Sequence, residues 1–144
     1  MKVNVQFNNT LKRNLLNIET HETNKELINN FITYLETQLT LIDIKTNKSI
    51  RISVNNIECI ESFTHLSKVK LIDDAQYYIK GRIKELQNLK QFGIVKINNN
   101  QMFNISHLYS FSIDKGSRLI IQSNYKNEYI VSRFYAKELK EMLK

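Results

Sequence analysis

Arg133 is the residue on which a chemical reading of this chain turns. It stands in the run Tyr129-Ile130-Val131-Ser132-Arg133-Phe134-Tyr135, where a strand-patterned segment gives way to an amphipathic stretch from Ala136 to Leu143. A guanidinium at such a join presents a rigid fork of donors, matched to phosphate oxygens or to the edge of a guanine. Two other segments mix cationic and hydrogen-bonding side chains, Thr64-His65-Leu66-Ser67-Lys68 and Lys96-Ile97-Asn98-Asn99-Asn100, and Lys137 follows Arg133. An asparagine amide can meet adenine through two hydrogen bonds, while lysine and serine suit phosphate. Solvated loops rich in Asn and Lys are common, so these segments alone carry low specificity.

Catalytic readings find little support. Three glycines supply neither a G-x-G-x-x-G cradle nor a P-loop. His21, His65 and His107 are scattered, without a Cys, Asp or Glu at metal-ligand spacing, so no metal and no cofactor is expected. Glu58 and Glu61 lie three apart on a strand pattern, which sends them to opposite faces and reads as two solvent-facing charges. Cys59 sits in the alternating run Asn56-Ile57-Glu58-Cys59-Ile60-Glu61 as a small buried or half-buried residue, and a single cysteine permits no internal disulfide. The expectation is a non-enzyme without a small-molecule substrate.

Charge points to a polyanion. The chain has 144 residues, 42% of them hydrophobic, which suits one compact domain with a core of its own. Residues 1–39 hold four Lys/Arg and four Asp/Glu, leaving seventeen against ten afterwards, so the whole surplus of +7 lies in residues 40–144. A basic excess confined to one part favours DNA or RNA over a membrane surface. The sequence contains no run of the roughly 18 apolar residues that a membrane span requires, and a cytoplasmic protein is expected.

Elements that must position these groups follow from periodicity. Lys2–Phe7 and Leu15–Thr20 read as strands, and apolar residues Leu27, Ile28, Phe31, Ile32 and Leu35 predict a helix over Thr23–Gln38, with Thr23 and Glu26 as its capping pair. Leu39–Ile44 and Ser49–Val54 form a hairpin around Thr46-Asn47-Lys48, and Ile57–Phe63 continues the strand pattern into a loop over Thr64–Lys68. Val69–Ile72 and Gln76–Lys80 flank Asp73-Asp74-Ala75, and a short helix Arg82–Leu89 follows. Ile94–Ile97, Met102–Ile105, Leu108–Ile113, Arg118–Gln122 and Tyr129–Ser132 complete a run of short strands, with Asp114-Lys115-Gly116-Ser117 as a turn. The result is a mainly β protein with minor helices.

From about Leu39 to Lys144 the order of segments resembles the LytTR DNA-binding domain of bacterial transcriptional regulators. The motifs are Ile57-Glu58-Cys59-Ile60-Glu61-Ser62, Ile79-Lys80-Gly81-Arg82-Ile83-Lys84-Glu85-Leu86, Val95-Lys96-Ile97-Asn98-Asn99-Asn100-Gln101-Met102-Phe103-Asn104, and the closing Val131-Ser132-Arg133-Phe134-Tyr135. The resemblance implies an elongated stack of small β-sheets that inserts loops, and no recognition helix, into successive major grooves of promoter DNA. Carried over by position, Asn99 and Arg133 read bases, Ser67 or Lys68 fills the first-loop role with His65 as its neighbour, and Lys96 and Lys137 hold phosphates. Asn98, Asn99 and Asn100 depart from the basic and hydroxyl residues common in that loop, which bears on target sequence and affinity.

Residues 1–38 are then a strand-strand-helix extension preceding a 39–144 binding domain, too short for a phosphate-accepting receiver and similar to the extension of stand-alone family members. Double-stranded DNA is the expected partner. The resemblance further implies a membrane-bound inhibitor protein, as for some stand-alone members. The helix of the extension either packs on the back of the domain, the more common arrangement, or presents Phe31, Tyr34 and Leu35 to another copy, which leaves a homodimer on DNA open. The competing reading is a LytTR-like protein-interaction module that titrates a partner and does not bind DNA; RNA binding ranks below both.

Overall fold

The structure, a computed structural model, describes residues 1–13 and 15–143, and of Glu36 the backbone only. Its elements are α1 (Lys25–Glu36), β1 (Gln38–Asp43), β2 (Ser49–Ser53), β3 (Ile57–Phe63), β4 (Leu66–Leu71), β5 (Gln76–Lys80), β6 (Ile94–Asn98), β7 (Gln101–Asn104), β8 (Leu108–Ile113), β9 (Leu119–Ser123), β10 (Glu128–Val131) and α2 (Arg133–Met142). Among the described residues the strands make two antiparallel sheets, one of seven in the order β2-β1-β5-β4-β3-β7-β6 and one of three in the order β10-β9-β8.

Two hydrophobic cores hold the sheets. Leu41, Ile57, Ile60, Val69, Ile79 and Met102 bury one face of the large sheet under Ile83, Leu86 and Leu89. Cys59, Val95, Ile97 and Phe103 bury part of the other face against Leu119, Ile121, Tyr129 and Val131 of the small sheet and Ala136 and Leu139 of α2. β3, β6 and β7 are therefore covered on both sides, which explains their dense apolar runs. Each fully buried Ile or Leu contributes about 1.5–3 kcal/mol relative to exposure.

Several sequence expectations need correction. Lys2–Phe7 and Leu15–Thr20 are not strands: neither is assigned to a sheet, and Val3, Val5 and Phe7 stand in solvent. A period of two makes a strand only when a neighbouring strand takes its backbone hydrogen bonds, and among the described residues no strand pairs with either segment; Leu16 and Ile18 instead line a cavity with Ile28, Phe31, Ile32 and Leu35 of α1. Thr23 does not cap α1; it lies inside the 3-10 turn Glu22–Asn24, and Asn24 is the N-cap residue. The helix expected over Arg82–Leu89 is two 3-10 turns, Ile83–Glu85 and Gln87–Phe92. Its apolar residues recur every three positions, the 3-10 period, which lets Ile83, Leu86 and Leu89 point to one core.

Glu58 is fully buried, not solvent-facing. A register shift between Ile57 and Cys59 marks a bulge in β3, and this extra residue breaks the alternation on which the expectation rested. Its carboxylate accepts from Asn127 Nδ2 at 3.1 and 3.0 Å and lies 3.7 Å from Lys70 Nζ, pinning the β9–β10 turn to the large sheet. No helix among the described residues is long and apolar enough to cross a membrane.

Candidate nucleic-acid interface

Three chain reversals meet at one end of the large sheet. β3 and β7 run antiparallel with Glu61 opposite Gln101, so the β3–β4 turn and the β6–β7 turn project the same way. Ser62 N donates to Asn100 O at 2.8 Å, joining their bases. Ser132 N donates to Ile97 O at 2.8 Å, and Asn98 Nδ2 donates to Ile130 O at 3.0 Å, which fastens the β10–α2 junction beside the β6–β7 turn. The order along this rim is Thr64-His65, then Asn99-Asn100, then Arg133.

The predicted site residues divide into those presented and those used internally. Arg133 opens α2, is exposed, and donates through Nε to Gly116 O at 2.8 Å. Lys137 lies one helical turn on, also exposed, on the same side of α2. Asn99 and Asn100 are exposed, and no side-chain hydrogen bond of either occurs among the described residues. Asn98 is different: its amide donates to Gln101 Oε1 at 2.9 Å as well as to Ile130 O, and its Oδ1 accepts from Asn100 N at 2.9 Å. It builds the turn and leaves little to offer a ligand. Lys96 is half-buried, its ammonium 5.3 Å from the centre of the Tyr135 ring.

The first loop is shorter than expected. Thr64–Lys68 is not one loop; β4 starts at Leu66, leaving the two-residue turn Thr64-His65. Thr64 holds φ of 51°, a left-handed conformation that a β-branched residue rarely adopts. Ser67 is fully buried and donates its hydroxyl to Gly81 O at 2.8 Å, so it faces the core side and is not on the rim. Lys68 points to the opposite face of β4, with Nζ 4.8 Å above the Phe63 ring, which itself stacks on Tyr78 at 5.3 Å. Of this segment Thr64 and His65 are exposed at the tip, and His65 Nδ1 lies 3.3 Å from Arg82 Nη2.

Two rim groups were not found from sequence. Arg82 joins His65 because Leu66 pairs with Lys80, which brings the end of β5 to the same edge. Gly116 and its neighbour Lys115 arrive through the contact with Arg133. Neither could be placed without knowing that β5 follows β4 in the sheet and that the β8–β9 turn folds back on α2.

Two packed sheets with cations and free amides gathered along one rim define a small nucleic-acid-binding domain of mainly β architecture. The family model described as the LytTr DNA-binding domain matches residues 47–144, and the chain belongs to that family. Among solved structures it is similar to a Bacillus cereus domain described as the LytTr DNA-binding domain of a methyl-accepting/DNA response regulator. The TM-score is 0.65 at 16% sequence identity, over 75% of this chain and 97% of that one. No curated protein sequence matches. The family is one of DNA binding and transcription regulation, not of catalysis.

Proposed function

We propose that this chain is a sequence-specific transcriptional regulator, acting in the cytoplasm, that inserts its rim turns into successive major grooves of promoter DNA. Arg133 and Asn99 read base edges, through the guanidinium fork and the side-chain amide. His65 and Arg82 occupy the first-turn position in place of Ser67. Lys68, Lys96, Lys115 and Lys137 neutralise phosphates and supply the sequence-independent part of the affinity. Asn98 and Asn100 shape the central turn.

The observation that carries this reading is the pair of hydrogen bonds, Ser62 to Asn100 and Ser132 to Ile97, that ranks three exposed polar tips along one rim. A rigid array of turns fixes base-reading groups relative to one another before DNA arrives, which lowers the ordering cost of binding.

The test is selection of bound oligonucleotides from a random duplex pool with the full chain. A short enriched motif is expected, and Arg133→Ala or Asn99→Ala should each relax preference at a distinct position within it. A pool that stays unenriched, with the protein folded, would instead favour a partner-titrating interaction module.

A further inference from the structure

β8 is an unprotected sheet edge. It holds the outer place in the three-stranded sheet, pairs with β9, and its sequence Leu108-Tyr109-Ser110-Phe111-Ser112-Ile113 contains no charge and no proline. Phe111 and Ile113 lie opposite the buried Ile121 and Leu119, on the inward face, yet they are 50% and 68% exposed. Tyr109, at the bulge between Leu108 and Ser110, is exposed as well. Such edges are normally guarded by charge, proline or cover. The others here are: β2 carries Arg51, and β6 and β10 shield each other through Ser132–Ile97 and Asn98–Ile130.

The same chain carries a strand pattern without a sheet. In Lys2-Val3-Asn4-Val5-Gln6-Phe7 the apolar residues fall on every second position, and all three are exposed, Phe7 to 95%. A segment of this pattern exposes both an apolar face and a row of backbone donors and acceptors, and an open uncharged edge offers the complement of each.

We propose that two copies of this chain form a reciprocal dimer in which Lys2–Phe7 of each adds as a fourth strand to β8 of the other. Charge favours this seam. β8 is neutral and the added strand brings Lys2 alone, so no like charges are forced together, whereas a chain of net charge +7 repels its copy across most other surfaces. Area favours it too. Phe7, Tyr109 and Phe111 are 95%, 72% and 50% exposed, so two copies still offer the equivalent of about four rings. At 150–250 Å² each that is about 650–1,100 Å², which with Val3, Val5 and Ile113 reaches the roughly 1,000 Å² expected of a specific interface. Reciprocal exchange also closes on itself, which prevents an open edge from growing into fibres.

Sedimentation equilibrium of the full chain across micromolar concentrations, with amide hydrogen exchange on the same samples, decides the matter. The expected result is a dimer in which residues 2–7 and those amides of 109–113 that face the open edge, not β9, become protected together as concentration rises. Val5→Lys and Phe111→Lys, each checked by circular dichroism for an unchanged fold, should raise the concentration of half-dissociation about tenfold or more, since each buries an unpaired ammonium. Three results would overturn the proposal: a monomer whose two segments are protected at every concentration, which means pairing within one chain; a monomer with both segments unprotected; and a dimer indifferent to both substitutions, which means another surface such as the exposed face of α1.

Discussion

The Nε of Arg133 donates to the backbone carbonyl of Gly116 at 2.8 Å, so the side chain that opens α2 is held by the turn between β8 and β9. The bond occupies one of the five guanidinium N–H donors and leaves four for a ligand. Its effect is to fix the stem of the side chain while the terminal nitrogens remain available. Replacing Arg133 with Lys keeps the charge and removes the fork. Affinity for random-sequence DNA should change little, while discrimination between cognate and mismatched duplexes should fall by about 1–3 kcal/mol. Competition titrations read both quantities, and undiminished discrimination would remove Arg133 from the reading role.

Gly116 is constrained from two sides. Its φ is 82°, in the left-handed region, and a Cβ built there would lie 3.3 Å from Arg133 Nη2. Gly116→Ala should therefore cost about 1–2 kcal/mol of stability from the backbone alone. It should also displace the guanidinium, weakening cognate binding more than random-sequence binding. A variant with lowered Tm and unaltered discrimination would show that the turn stabilises the fold without aiming Arg133.

Asn98 joins two parts of the rim. Alanine at this position deletes the bonds to Gln101, Ile130 and Asn100 N together. A loss of about 1–3 kcal/mol in stability is expected. The informative readout is a double-mutant cycle on DNA affinity. With Asn98 present, Asn99→Ala and Arg133→Ala should be coupled; with Asn98→Ala in the background, the coupling should shrink. Additive effects in both backgrounds would mean the two tips act independently.

What could be read from the sequence, and what could not, follows from the range of the interactions. Apart from the start of β4, the strands β1 to β10 were legible within a residue because alternation and turn residues are local signals, as at Asp114-Lys115-Gly116-Ser117. Arg133, Asn99 and Lys137, singled out from the sequence, are exposed, since polar tips between apolar runs also leave a local mark. Ser67 was misplaced because the boundary of β4 depends on pairing with β5, which is invisible in Thr64–Lys68 itself. Glu58 was misread because a one-residue bulge inverts every parity argument around it. Arg82 was missed for a related reason: its neighbour His65 is 17 residues away in the chain.

The cations should be separable from the base readers by salt. Lys96 and Lys137 flank Arg133 on β6 and α2, and both carry aliphatic stems that let the ammonium swing from its resting place to a phosphate. If each neutralises one phosphate, Lys96→Gln and Lys137→Gln should each reduce the slope of log K against log salt by about 0.9, equally for cognate and random duplexes. A slope that is unaltered in either variant would take that lysine off the DNA.

Cys59 supplies a test of the second core that leaves the rim untouched. Burial pushes its thiol up to about 11, the desolvation of the thiolate outweighing the favourable contact with Tyr129. The sign follows from linkage. Below the ordinary value of 9.0 the thiol is protonated in folded and unfolded chains alike; above it only the unfolded chain loses the proton, so stability falls as pH rises from about 9 through about 11. Each pH unit in that window is worth about 1.4 kcal/mol at most. Cys59→Ala removes the titration, so its stability profile should be flatter than that of the parent in this window once the other alkaline groups, common to both, are subtracted. At pH 8 the parent thiol should react with a small alkylating reagent only as fast as the chain opens. Rapid labelling of the folded protein, or parallel profiles for the two chains, would mean that Cys59 is not sealed between the sheets as the packing of Phe103 and Tyr129 around it requires.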